Sequence, residues 1–244
     1  MEVRYLILAL LNATLGFLAW YIISTSLRLP KSFQIQFDIN KSYFARILRR
    51  RFLGFLLYGV LPCVLIFGFG VLGENVTSLA DLNISFGWNA QVGKWLLLLM
   101  PLTLLFNYLS TRRRATLIEY PEIRVTIWTP WLLAKSAFFW LLYLVGMEFL
   151  YRGLVLQSLF MNLDNIWWTM VISGAMYTMV HYFKFNRIAL LSFPFGLIMA
   201  YVTLKCGSLL PTVLVHLIGG LITEWAAIRQ HPEIKVQQNL YTTP

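Results

Sequence analysis

The stretch LYLVGMEFLYRGLVLQ, residues 142–157, sets Glu148 and Arg152 four residues apart inside an apolar run that reaches from about 131 to 160. A helix needs about 20 such residues to cross a bilayer, so this run is long enough and its first turns, around Trp131 to Lys135, are expected in the interface. A charged side chain at the membrane centre costs about 2.5–3.5 kcal/mol on the insertion scale. The spacing of four puts acid and base on one helix face, where they pair and relieve that cost. The pair then has two readings, an ion pair that specifies packing or the start of a functional site.

Outward from this stretch, six more apolar runs are found near 3–25, 52–73, 93–110, 166–184, 187–204 and 208–228. With the first they predict an all-α fold, a polytopic transmembrane bundle of about seven spans. Pro194 is expected to kink the sixth. Composition agrees: 59% of the 244 residues are hydrophobic and only 12% are charged, whereas a soluble domain is about half apolar and a quarter charged. The run at 3–25 lacks a basic start and a small-residue cleavage site, so it reads as a span and not as a removable signal.

The net charge of +10 does not point to nucleic acid, because the cations sit between apolar runs without an RNA-binding or zinc-finger pattern. Sixteen of them fall on one side of the predicted spans, among them Arg28, Lys31, Arg49, Arg50, Arg51, Arg112, Arg113, Arg114, Lys184 and Arg187. Only Arg4, Lys94 and Lys205 fall on the other. That asymmetry predicts an outside N-terminus and a cytoplasmic C-terminus, with a bacterial plasma membrane as the expected location. The basic segment 26–51 reads as a cytoplasmic loop lying on anionic headgroups, and the lipid bilayer is the first expected partner. Segment 74–92 carries no Lys or Arg and reads as an external loop, whereas the tail from His231 onward is polar and expected to be flexible. The chain divides into N-terminal helices with basic loops at 1–114, a helical core at 115–228 and a polar tail at 229–244. Cys63 and Cys206 are too few for a disulfide framework and read as small packing residues.

Two more polar groups interrupt the apolar runs. His181 lies in SGAMYTMVHYFKF (173–185) and His216 in LLPTVLVHLIGGLITEW (209–225). Two imidazoles and a Glu–Arg pair on three helices supply a general base, hydrogen-bond donors and a cation to one point. Zinc is open to two His and one Glu, but no H-E-x-x-H helix is present, so spacing does not support a metal and none is expected. Ser173 has no G-x-S-x-G frame for a nucleophile.

MEFLYRG (147–153), YTMVH (177–181) and VLVHLIGG (213–220) stand in the order of the three motifs E-E-x-x-x-R, F-x-x-x-H and H-x-x-x-N/D. The chain thereby resembles the CPBP family, which includes the type II CAAX prenyl endopeptidases and the Abi bacteriocin-immunity proteins. The resemblance covers about residues 115–228, with Tyr120–Pro121 before the fourth span and Gly207–Ser208–Leu209 before the last motif. It implies an intramembrane endopeptidase acting on a membrane-proximal peptide or lipidated-protein substrate. Glu148 and Arg152 match the second glutamate and the arginine, and His181 and His216 match the two histidines.

Three positions depart from that pattern. Met147 stands where the family has its first glutamate, Tyr177 replaces the phenylalanine, and Gly220 stands where an Asn or Asp would help hold the oxyanion. The departures favour one of two outcomes. Either Glu148 has become the base, helped by His181, with His216 donating to the oxyanion and Arg152 holding Glu148 ionised, or the chain is a catalytically impaired relative acting as a binding, immunity or maturation factor. Glu224, two turns beyond His216, is a candidate substitute for the missing polar group. Counted from the basic side at 1.5 Å per residue, Glu148 lies about 15–25 Å deep and His181 within about 10 Å, so the two meet only if the helices tilt or start at different levels.

Overall fold

The computed structural model describes residues 2–25, 41–182 and 186–237. Residues 26–40, with Arg28 and Lys31 of the basic segment, Lys184, and tail residues 238–244 lie outside it. In chain order the described helices are α1 (Glu2–Thr25), α2 (Lys41–Phe55), a short α3 (Leu61–Cys63) between π turns, α4 (Ala90–Ser110), α5 (Arg114–Glu119), α6 (Pro130–Glu148), α7 (Leu156–Leu163), α8 (Ile166–Tyr182), α9 (Asn186–Cys206) and α10 (Leu210–Gln230). Each of the seven predicted apolar runs is helical over most of its described residues. Five continuous stretches, Glu2–Ser24, Phe44–Gly68, Ala90–Ser110, Pro130–Leu163 and Leu210–Gln230, are long and apolar enough to cross a membrane, and the apolar helix Leu191–Cys206 is shorter. The protein is an all-α integral membrane protein.

Pro130–Leu163 is the central helix, with 78% of its most apolar window buried against 28% for Glu2–Ser24 and 6% for Ala90–Ser110. Its start is sharp: Thr129 accepts the Leu132 N–H at 3.2 Å, and Pro130 occupies the first turn, where its missing donor is harmless. Lys135 lies 5.6 Å from the Phe44 ring centre and Trp131 is exposed, in keeping with an interfacial first turn. The helix approaches the 44–68 helix through glycines. A Cβ on Gly146 would stand 3.1 Å from the Phe55 Cα and 3.4 Å from the Gly59 nitrogen, so only hydrogen fits there. The helix is continuous through a π turn at Phe149–Val155, every residue of which is buried. Such turns are frequent at functional sites, and this one holds Arg152.

Asp164, in the left-handed conformation at φ 45°, ends the long helix, and Asn165 Oδ1 caps α8 by accepting the Trp167 and Trp168 N–H groups at 3.1 Å each. The resulting antiparallel hairpin sets depth. Residues equally distant from its turn lie level, which pairs Glu148 with His181 and Arg152 with Tyr177, each of the former fifteen residues from the turn's edges at 163 and 166. Fifteen residues correspond to about 22 Å. Depth counted from the basic side had separated Glu148 from His181, because α6 begins 18 residues before Glu148 whereas α8 ends one residue after His181. The hairpin then packs on α9, where a Cβ on Gly196 would touch the Gly174 Cα at 3.3 Å.

Two readings of the loops change. Lys41–Phe55 is helical, so the last part of the basic segment is not a loop. The tail is anchored at its start: Ile127–Trp128 and Lys235–Val236 form a parallel two-stranded pair, with the Lys235 N–H on Thr126 O at 2.7 Å and the Gln237 N–H on Trp128 O at 2.9 Å. Segment 74–92 and the residues just before it are packed, placing Leu72, Val76, Leu82 and Ile84 in the main core. Cys63 and Cys206 are free thiols among packed helices.

Candidate active site

Glu148 ends α6, Arg152 sits in the π turn, Tyr177 and His181 lie near the end of α8, and His216 occupies the second turn of α10. Glu148 and Arg152 have no exposed surface, and the His216 side chain is 18% exposed. Glu148 Oε1 accepts a hydrogen bond from His216 Nδ1 at 2.7 Å. Arg152 Nε stands 3.6 Å from Glu148 Oε2, close enough for ion pairing and too long for a good hydrogen bond. Glu148 Oε2 and the three Arg152 nitrogens make no hydrogen bond to a described residue. Buried polar atoms of that kind are rare and are usually met by water or ligand.

Tyr177 holds the centre. Its ring carries the Arg152 guanidinium at 3.9 Å on one face and stands 4.7 Å from the His181 ring. Its hydroxyl is 3.5 Å from His216 Nε2. His181 Nδ1 donates to the Tyr177 carbonyl at 3.2 Å. Phe195 from α9 closes another side, its ring 5.7 Å from that of His216. Thus the four residues singled out in the sequence converge: Glu148, Arg152 and His216 in one contact chain, with His181 joined through Tyr177. A carbonyl or carboxylate cannot donate, so the partners place a proton: His216 carries hydrogen on Nδ1, and its Nε2 faces the Tyr177 hydroxyl.

Ser173 and Glu224, the other two residues weighed in the sequence, lie in surroundings of their own. Ser173 is buried and donates to the Tyr151 carbonyl at 3.3 Å, so it has no nucleophile's surroundings. Among the described residues no three His, Cys, Asp or Glu groups gather to hold a metal; Glu148 and His216 bond to each other and do not converge on a common point as ligands. Glu224 does not serve this site. Its carboxylate accepts from Arg51 Nη2 at 3.0 Å, Ser136 Oγ at 3.0 Å and Trp140 Nε1 at 2.7 Å. Arg51 also reaches Glu122 at 3.0 Å and stacks 4.1 Å from the Trp140 ring centre. Arg50 pairs with Glu122 at 3.2 Å, so both arginines are engaged in ion pairs within the protein.

Reasoning from sequence undervalued Tyr177, because a Phe-to-Tyr change in one motif looked mild. The hairpin arithmetic that levels it with Arg152 was the available signal. Arg51 had no such signal, since its partner lies 173 positions away.

The family model for "Type II CAAX prenyl endopeptidase Rce1-like" matches residues 129–222. The match runs from the cap of α6 into α10 and contains all four candidate residues and Tyr177. No curated protein and no solved structure gives a significant match.

Proposed function

We propose, on the premise of the similarity of residues 129–222 to the type II CAAX prenyl endopeptidase Rce1-like family, a protease family, that this chain hydrolyses a membrane-proximal peptide bond by activated water. The observation that carries this reading is the 2.7 Å contact between Glu148 Oε1 and His216 Nδ1. A carboxylate on one imidazole nitrogen orients the ring, fixes its tautomer and stabilises the imidazolium that forms when the other nitrogen takes a proton. His216 is the more exposed partner. It is therefore the better base, and Glu148 the group that positions it, a reversal of the roles expected from the motifs alone. Water held by His216 Nε2 attacks the carbonyl carbon, and a positioned base of this kind contributes typically 10²–10⁴-fold. Arg152 keeps Glu148 anionic in its dry surroundings. His181, level with Glu148 across the hairpin, flanks the substrate.

The substrate class is a peptide close to the bilayer, lipidated or prenylated, presented to a protein with its N-terminus outside and C-terminus in the cytoplasm. The side-chain chemistry missing at Met147 and Gly220 supports the second reading, a catalytically impaired relative acting by binding. Purified wild type, Glu148→Gln, His216→Ala and the double variant separate the two on a mixture of farnesylated, palmitoylated and unmodified quenched-fluorescent peptides. A working pair loses cleavage by about 10²–10⁴-fold in either single variant, with the double no worse than the singles. Unchanged cleavage in both singles would remove hydrolysis at this site and leave the binding reading.

A further inference from the structure

The Tyr177 hydroxyl is the one polar group of the contact chain that the phenylalanine motif does not contain. It is brought to the base by hairpin register and two contacts. Hairpin register levels it with Arg152, the guanidinium covers its ring at 3.9 Å, and its oxygen stops 3.5 Å from His216 Nε2. Only 1% of the residue is exposed. At 3.5 Å the O–H makes at best a weak bond to the imidazole, so it can turn to a better acceptor nearby.

On α10 the position one turn beyond His216 is Gly220, which supplies no side chain. A Cβ built there would meet only Leu144 Cδ1, at 3.9 Å. An oxyanion formed beside His216 therefore receives nothing from that turn.

We infer that Tyr177 is a catalytic residue whose O–H donates a hydrogen bond to the carbonyl oxygen of the scissile peptide, in the place that a side chain at position 220 leaves open. The inference rests on the hydrolytic reading above. In the addition step a water oxygen bonds to the carbonyl carbon, its proton goes to His216 Nε2, and the C=O pair moves to oxygen, where Tyr177 donates. In the second step that pair re-forms C=O, the C–N bond breaks, and the His216 proton passes to the leaving nitrogen. Water is the sole co-reactant, and the products are a carboxylic acid and an amine. A positioned oxyanion donor is typically worth 10²–10³ in turnover.

The test uses full-length protein in nanodiscs with the same peptide mixture, comparing wild type, Tyr177→Phe, and Tyr177→Phe combined with Gly220→Asn. The phenylalanine keeps the ring between Arg152 and His181. Expected is a fall of about 10²-fold in kcat with KM within about twofold, and a recovery of at least tenfold when asparagine is added at 220. Wild-type kcat in Tyr177→Phe, with His216→Ala inactive, overturns the donor role and leaves the endopeptidase reading standing. A loss that comes with a raised KM or a lowered melting temperature, and that Gly220→Asn does not recover, assigns Tyr177 to packing and also overturns it. Cleavage that survives in Glu148→Gln and His216→Ala, or no cleavage by wild type, removes the endopeptidase reading itself.

Discussion

The Arg152 guanidinium lies 3.9 Å from the centre of the Tyr177 ring, with neither side chain more than 1% exposed. It is the cation nearest to the buried Glu148 carboxylate, and it binds the long helix to α8 at the level of the candidate site. Arg152→Lys keeps charge but loses the planar fork that stacks on the ring. We expect it to cost about 1–2 kcal/mol in thermal unfolding of detergent-purified protein. Arg152→Met leaves Glu148 without its cation and should cost about 3–5 kcal/mol. Equal melting temperatures for the two variants would mean that the charge contributes nothing.

A second buried ion pair tests the same physics away from the site. Arg51→Met takes the shared cation from Glu224 and Glu122, and Glu224→Leu takes a carboxylate from Arg51 and the Trp140 N–H. Each single change is expected to lower stability by about 3–5 kcal/mol, and the double variant by less than the sum. Thermal unfolding of the four proteins gives the coupling directly, and strict additivity would contradict the pairing.

Glycine contacts set how closely the central helix can be approached. Gly146→Ala places its Cβ against the backbone of Phe55 and Gly59, which cannot rotate away, and should destabilise by about 1–3 kcal/mol. Gly220→Ala meets only one side-chain methyl at 3.9 Å and should lie within about 0.5 kcal/mol of wild type or be slightly stabilising. A reversed order of the two melting temperatures would contradict the helix contact described here.

The 74–92 segment carries a pH response of its own. The Thr77 amide, then the Ser78 hydroxyl and amide, hydrogen-bond the Asp81 carboxylate and hold its pKa below the ordinary value. A depressed carboxyl stabilises fully above its unfolded pKa of about 3.9 and loses that contribution as pH falls through the lower folded value. Hydrogen exchange at the Thr77 and Ser78 amides should therefore be protected at pH 6 and lose protection below about pH 4. Asp81→Asn should show less of that change, and an identical profile would rule out the carboxylate as its source.

Much of this molecule could be read from its sequence, and the limits are instructive. The apolar runs located seven helices because a membrane segment carries its own length requirement. Glu148 and Arg152 were legible because a charged pair at spacing four in such a run is hard to tolerate otherwise. His181 and Glu148 looked mismatched because depth was counted from the cationic ends, while the hairpin at Asp164 sets it from the opposite side. Helix ends facing each other across a tight turn are a better ruler than helix ends at a loop of unknown shape. Glu224 was misplaced for a different reason. Periodicity reports which residues share a helix face, but it does not report which distant side chain faces them, and Arg51 was already there.

The Arg51–Glu224 contact also bears on biogenesis. Arg51 belongs to the second membrane-crossing stretch and Glu224 to the last, so a chain inserted from its N-terminus carries this arginine through most of synthesis without its final partner. Glu122 arrives earlier and shares the charge, yet Ser136 and Trp140 have no carboxylate to bind until α10 enters the bundle. Completion of the last helix thus closes an electrostatic latch across helices inserted long before it. A chain cut before Glu224 would pair Arg51 with Glu122 alone and leave the helices without that latch.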